Sequence, residues 1–286
     1  MSKRVFTDEN YIPNVDSNAD SSTYIIKKAK HSKPTMFLRM LEAALLIHDY
    51  DSRSLGYFDE ILEGDMYEID QLISYEIATL DDFWSSIGYS LLEKAAEAGL
   101  LNIVQVLLKY EKYDTTFSAQ RFKVLYTACM ESHVEVVKSL LEHGFDHNMM
   151  GEDDEGHCET CTSFASKRGK VPIVKLLLMR GADANLADAD NNSPLVWACC
   201  SNKLDAARCL LDHGADVNVI GSYGETPMVT ALCYPQHHKK ELIQLLLERA
   251  DPAIPNEEGK TALDYVADGS GIVQMIKNVQ LEHILK

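Results

Sequence analysis

Two stretches decide how the whole chain is read: Ser193-Pro194-Leu195-Val196-Trp197-Ala198-Cys199, and Leu210-Leu211-Asp212-His213-Gly214-Ala215-Asp216-Val217-Asn218. The first opens on a hydroxyl able to cap an orphan helix N–H, with proline in the first turn, where no backbone donor is needed. The second carries an apolar run that stops at a glycine, the residue that most readily turns left-handed at a helix C-terminus. Together they read as two short helices and a turn. The frame returns at Thr226-Pro227-Met228 and Thr160-Cys161-Thr162, and in worn form at Ser90-Leu91-Leu92, Lys123-Val124-Leu125 and Thr261-Ala262-Leu263. The anchors are spaced by 33, 37, 33, 33 and 35 residues. Periods of this length mark a stacked-repeat architecture.

Each unit follows the same physical logic. Small residues (Ala95-Ala96, Ala128-Cys129, Ala165-Ser166, Ala198-Cys199, Ala231) let neighbouring first helices approach closely. A polar turn follows, with Gly99 or Gly169 where the helix must stop. The second helix carries Val106-Leu107-Leu108, Leu140-Leu141, Leu176-Leu177-Leu178, Leu210-Leu211 or Leu245-Leu246-Leu247, and ends at Gly144, Gly181 or Gly214. One such pair cannot bury its apolar face alone, so the units must stack.

The pattern resembles the ankyrin repeat. That family's T-P-L-H-x-A signature stands here as Ser193-Pro194-Leu195-Val196-Trp197-Ala198 and Thr226-Pro227-Met228-Val229-Thr230-Ala231. Its leucines followed by G-A-D stand as Leu176-Leu177-Leu178-Met179-Arg180-Gly181-Ala182-Asp183 and as Leu210 through Asp216. The His after T-P-L is absent throughout, and the Gly before Ala250-Asp251 is lost. The resemblance implies an all-α ankyrin-repeat solenoid of helix-turn-helix units joined by β-hairpin-like loops. The match covers roughly residues 55 to 275, and the ankyrin-repeat domain it implies runs over residues 54–286 in about seven units, the first and last being degenerate caps.

The formal net charge is −17, which disfavours broad binding to nucleic acid or an anionic membrane. Met1 to Asp8 lacks the apolar core of a signal peptide. The most apolar segment, around Leu38 to Ile47, is broken by Arg39 and Glu42 and is too short to span a bilayer. The seven cysteines are odd in number and sit mostly within repeat helices, which fits reduced thiols better than a disulfide framework. These readings imply a cytoplasmic location, with the nucleus as the alternative.

Residues 1–31 are rich in Ser, Asn, Asp and Thr and read as a flexible tail. Residues 32–53 turn helical, with Phe37, Leu41, Leu45 and His48 at spacing four, and read as an N-terminal helix that caps the solenoid. Ser54 to Glu93 holds ten acids and no Lys or Arg, a single-sign field able to steer a basic partner or simply to keep an end unit soluble. Insertions interrupt the period within Met149 to Glu159 and Cys233 to Lys240. Insertions in a stack map to surface loops, often on the binding face. The last unit, Thr261 to Ile276, is expected to cap the C-terminal end and to be followed by a short tail.

Catalytic chemistry finds little support. Cys158-x-x-Cys161 with His143, His147 and His157 nearby could hold zinc, but no second C-x-x-C completes a tetrahedral set. Cys199 occupies the place of a small packing residue. Neither a phosphate loop nor a nucleophile elbow is present. Neither a metal nor a cofactor is expected, and the chain reads as a non-enzyme.

What the resemblance does imply is capture of another protein or peptide on a concave face built from the first helices and the loop tips, by an adaptor or, alternatively, by a regulatory or targeting subunit that brings an enzyme to its substrate, or by a pathogen effector acting on a host protein. Carried over residue by residue, the inner-helix positions include Met130, Phe164, Lys167, Arg168, Trp197, Thr127, Thr230 and Tyr234. The tip positions include Asp190, Tyr223 and Glu225. Trp, Tyr and Arg dominate binding hot spots. Arg168, Trp197, Tyr223 and Tyr234 therefore form the expected contact row, flanked by Met130, Lys167, Glu225 and Asp190. Trp197 has a competing reading as packing between first helices. Asn185 and Asn218 fall where related repeats are often hydroxylated, and where the Asn ordinarily holds the turn.

Overall fold

In the computed structural model, residues 88–111, 117–152, 158–233, 240–266 and 271–285 are described. The expectations for the 1–31 tail, the 32–53 helix, the first degenerate unit and the 234–239 insertion lie outside them. Contacts divide the chain into Met1–Asp81 and Asp82–Lys286, and every described residue belongs to the second unit.

That unit is built from paired helices. They are α1 (Tyr89–Glu97) with α2 (Leu101–Tyr110), α3 (Ser118–Glu131) with α4 (Val134–Glu142), and α5 (Cys161–Arg168) with α6 (Val171–Met179). Next come α7 (Pro194–Cys200) with α8 (Leu204–Asp212), and α9 (Pro227–Cys233) with α10 (Lys240–Leu247). A 3₁₀ turn at Ala262–Tyr265 and α11 (Gly271–Leu285) close the series. First helices touch first helices in chain order, α1 to α3 to α5 to α7 to α9, and second helices do the same from α2 to α10 and on to α11. The expected all-α ankyrin solenoid is what these pairings describe. The described strands, β1 (Met150–Glu152) and β2 (Cys158–Thr160), form an antiparallel ladder with Met150 opposite Thr160.

The capping hydroxyls behave as their position requires. Thr160 Oγ1 accepts from Ser163 N at 3.0 Å, Ser193 Oγ from Val196 N at 3.4 Å, and Thr226 Oγ1 from Val229 N at 3.3 Å. Thr261 forms a reciprocal capping box with Asp264. The other two worn anchors differ. Ser90 and Lys123 lie inside helices that begin at Tyr89 and Ser118, so α3 is 14 residues long. The extra turn of α3 has a use: it carries Arg121 and Phe122, both buried, into the interior.

The turn after each first helix needs a left-handed residue. Gly99 (φ 71°) and Gly169 (φ 72°) supply it, and Ser132 (φ 66°) and Asn202 (φ 52°) take the same place in the other units. A Cβ on Gly99 would stand 2.6 Å from the His133 ring, so the next unit's approach also demands glycine there. Ala95, Ala96, Ala128, Cys129, Ala165, Ala198, Cys199 and Ala231 are fully buried between first helices. Ile103, Leu107, Val137, Leu140, Ile173, Leu177, Leu210, Ile243 and Leu246 are fully buried on the second-helix side.

At the C-terminal end the expected short tail is helical instead, since α11 runs to Leu285. No Gly or Pro follows Gly271 to stop it, and Ile276 is fully buried where α11 meets α10.

Candidate protein-binding surface

The surface is assembled from α1, α3, α5 and α7 and from the loops that precede the first helices. Its organising group is Asp188. This buried carboxylate lies five positions before the capping Ser193. Oδ1 accepts from the backbone N–H of Asp190 at 3.0 Å and of Asn192 at 2.9 Å, which folds the loop tip. Oδ2 accepts from Trp197 Nε1 at 2.5 Å. The indole is thereby anchored at its polar edge and left half-buried, with the Lys167 ammonium 4.4 Å from the ring centroid. Packing and exposure are thus both true of Trp197.

Under this face runs a buried row of aromatic rings. Phe122 meets Tyr126 at 5.3 Å, and Tyr126 meets Phe164 at 4.8 Å between centroids. The Tyr126 hydroxyl donates to the buried Glu159 carboxylate at 2.9 Å. Phe164, Thr127 and Thr230, expected on the binding face, are therefore interior residues. The reason lies in the neighbours. Phe164 shares a helix face with Lys167 and Arg168, but its ring packs on Tyr126 and is covered by the Arg168 guanidinium, 5.7 Å from its centroid. Met130, Lys167, Arg168 and Trp197 instead keep part of their surface open to solvent.

Between α1 and α3 the face dips into a pocket of about 210 Å³. Phe122, Tyr126 and Met130 contribute its apolar lining, and Glu93, Glu97 and Glu152 its carboxylates. Lys94 pairs with Glu97 at 2.8 Å and Lys123 with Glu93 at 3.4 Å.

The loop tips are tied to one another. Asn192 Oδ1 accepts from Ser222 N at 3.2 Å, Asn191 Nδ2 donates to Ile220 O at 3.2 Å, and Glu257 N donates to Tyr223 O at 3.3 Å. Ser222 Oγ also donates to the Asp190 carbonyl. Tyr223 holds a left-handed backbone (φ 58°) and is 80% exposed, with exposed Ile220 three residues before it. A bulky residue in this conformation is rare and costs energy. Glu225 is half-buried and accepts from the Cys233 thiol at 3.7 Å.

The expected contact residues therefore fall into three places. Met130 lines the pocket, Lys167 and Trp197 meet at the centre beside the exposed Arg168, and Asp190, Tyr223 and Glu225 lie on the tips. Tyr234 lies outside the described residues. Asp188 and Glu159 were missed by sequence reasoning. One signal was available: Asp188 and Asn256 stand five residues before Ser193 and Thr261. Asn256 Oδ1 likewise accepts from Glu258 N and Lys260 N, at 3.0 and 2.9 Å.

Of the remaining chemical candidates, His157 lies outside the described residues. Cys161 is buried and hydrogen-bonded to Cys129, which together with burial holds its thiol well above the ordinary range. Cys209 sits one turn from His213, with Sγ 4.0 Å from Nδ1. That nitrogen donates to the Cys209 carbonyl at 2.8 Å, and burial pushes the thiol up rather than down. Among the described residues no three His, Cys, Asp or Glu side chains gather as metal ligands, and no helix is long and apolar enough to cross a membrane.

Asn185 and Asn218 bridge units. Asn185 Oδ1 accepts from Asp216 N at 2.7 Å, and Asn218 Oδ1 from Asp251 N at 2.9 Å. Asn148 does the same for Asp183 N at 2.9 Å.

Comparison with known proteins agrees with this architecture. The family model for ankyrin repeats in three copies matches residues 62–151 and 162–256, and that for many copies matches residues 125–178. An ankyrin repeat, SAM and basic leucine zipper domain-containing protein 1 from Carollia perspicillata is 32% identical over 107 residues, 37% of this chain and 22% of that protein. The fowlpox virus (strain NVSL) ankyrin repeat protein FPV244 is 29% identical over 91 residues, 32% of this chain and 13% of its own length. A second from that virus, FPV230, is 51% identical over 37 residues, 13% of this chain and 20% of its own length. The chain thus spans about a fifth or less of these relatives. With more than half of its residues matched by the three-copy model and its helices paired in the same series, the chain belongs to the ankyrin-repeat family.

Proposed function

We propose that this chain is a non-catalytic adaptor that captures a partner protein on the first-helix face and the adjoining loop tips. The observation that carries the reading is Trp197. Its indole is fixed by Asp188, flanked by Lys167 and still partly open to solvent at the centre of the face. A rigid aromatic held in this way loses little conformational entropy on binding, which is what makes such residues hot spots. Exposed Tyr223 on the neighbouring tip extends the contact. The stack supplies the rigidity, since ankyrin repeats are generally protein–protein interaction modules. The proposed 1–31 tail and 32–53 helix offer a second contact, and the proposed location is the cytoplasm, with the nucleus as the alternative.

Affinity purification followed by mass spectrometry tests this reading, with Trp197→Ala and Tyr223→Gly beside the wild type. Proteins retained by the wild type should be lost from both variants. Identical retention on all three would overturn the assignment of this face. A second reading, an effector acting on a host protein, draws on the two fowlpox relatives. A partner confined to proteins of an infected host would favour it.

A further inference from the structure

The binding face is electrically polar along the stack. At the α1–α3 end, the pocket sets three carboxylates (Glu93, Glu97, Glu152) against two ammonium groups (Lys94, Lys123), above an apolar lining that includes Phe122 and Met130. The two ammonium groups are paired with Glu97 and Glu93. Glu152 is exposed and has no ion-pair partner among the described residues, so one negative charge stands at the mouth. The chain leading into α1 has the same sign, with no Lys or Arg from Ser54 to Glu93. At the α5–α7 end the outward-facing charges of α5 are cationic. Lys167 and Arg168 close α5, with the Lys167 ammonium 4.4 Å from the Trp197 ring centroid, and neither forms an ion pair with a described residue. The Asp188 carboxylate there is buried and already accepts from the indole and two loop N–H groups.

We propose that the partner is an extended segment that seats a Lys or Arg side chain in the α1–α3 pocket and an Asp or Glu over Lys167 and Arg168. This rests on the adaptor reading and names the partner's chemistry. The pocket accommodates a long aliphatic stem against Phe122 and Met130 while its cationic head meets Glu152. A carboxylate two units further on meets Lys167, which lies over the indole, and the neighbouring Arg168. First helices pack roughly 10 Å apart, so two steps cover about 20 Å. An extended chain rises about 3.4 Å per residue, which places the two charged residues about six positions apart. Charge matched at both ends fixes register and disfavours segments of uniform sign, which a hydrophobic contact alone cannot do.

The test selects from a phage-displayed library of random twelve-residue peptides on the full chain, then measures the enriched peptides by fluorescence anisotropy. The expected peptides carry a basic and an acidic residue about six apart. They should lose at least tenfold in affinity on Glu152→Lys and on Lys167→Glu, while Trp197→Ala weakens them as well. Melting curves matching the wild type show that both charge variants are folded. Should either unfold, Glu152→Gln and Lys167→Gln replace them, with at least a threefold loss expected. Peptides that depend on Trp197 but show no charge spacing, or ignore both charge variants, would overturn this inference and leave the adaptor reading standing. Peptides indifferent to all three substitutions, or no enrichment at all, would overturn both.

Discussion

The indole nitrogen of Trp197 donates to the Asp188 carboxylate at 2.5 Å, and the other oxygen of that carboxylate closes the loop tip through Asp190 N and Asn192 N. One buried acid thus couples the shape of a tip to the orientation of the central aromatic. Asp188→Asn keeps an acceptor for the two backbone donors but turns an amide N–H₂ toward the indole N–H. Two donors then face each other, at a cost of about 1–3 kcal/mol. In a Trp84→Phe background the Trp197 emission should shift to the red, and partner affinity should fall more than stability does. An unchanged spectrum would show that Asp188 does not orient the ring.

Tyr223 bears an exposed ring on a left-handed backbone (φ 58°). Tyr223→Gly should leave stability unchanged or raise it by up to about 1 kcal/mol, because glycine takes this conformation without strain. Partner binding should weaken in the same variant. Chemical denaturation beside an affinity measurement separates the two effects. A clear loss of stability would assign Tyr223 a structural role.

Arg121 and Glu111 have buried side chains and pair directly. Arg121 Nη2 also donates to Gly144 O at 2.8 Å, its guanidinium lies 3.8 Å from the Phe145 ring centroid, and the Tyr89 hydroxyl donates to Glu111 at 2.6 Å. Arg121→Ala strands the Glu111 carboxylate and should destabilise by about 3–5 kcal/mol. The double variant Arg121→Met, Glu111→Leu should recover a large part of that loss. Equal losses in both would mean that packing, not charge, dominates the site.

Tyr89 is raised above the ordinary tyrosine range, first by burial and then by its hydrogen bond to Glu111. The folded state therefore holds this proton more tightly than the unfolded chain does. Stability from this group is complete below the unfolded tyrosine pKa of about 10 and is lost as pH rises beyond it. Melting temperature should fall more steeply above pH ~10 in the wild type than in Tyr89→Phe. Parallel alkaline profiles would remove Tyr89 as a source of the pH dependence.

Asn148, Asn185 and Asn218 each accept an inter-unit hydrogen bond, from the backbone N–H of Asp183, Asp216 and Asp251, and Asn185 Nδ2 also donates to Gly214 O at 3.2 Å. Asn185→Ala and Asn218→Ala should each cost about 1 kcal/mol, and together roughly the sum. Urea unfolding measures both. Losses well below this would mean that water replaces the side chains at no cost.

Much of this fold was legible from residues alone, because ankyrin-type units interact chiefly with their neighbours and so print their rules locally. The caps at Thr160, Ser193, Thr226 and Thr261, and the buried small residues at Ala95, Ala165 and Ala198, stood where the frame put them. The candidate surface was legible in part. Trp197 and Lys167 came together as a pair, whereas Phe164, at the same frame position as Trp197, turned inward against Tyr126.

Period, capping hydroxyls and apolar runs by themselves determined the repeat, its helical pairs and the glycines between them, since each depends on contacts a few residues apart. Only tertiary structure decided which aromatic faced solvent, that Asp188 would hold Trp197, and that Arg121, on a lengthened α3, would be buried against Glu111 at the end of α2. The last three depend on a partner group in another element, and such a partner leaves no mark on the local pattern. A carboxylate before a capping serine reads as loop until an indole is found bonded to it.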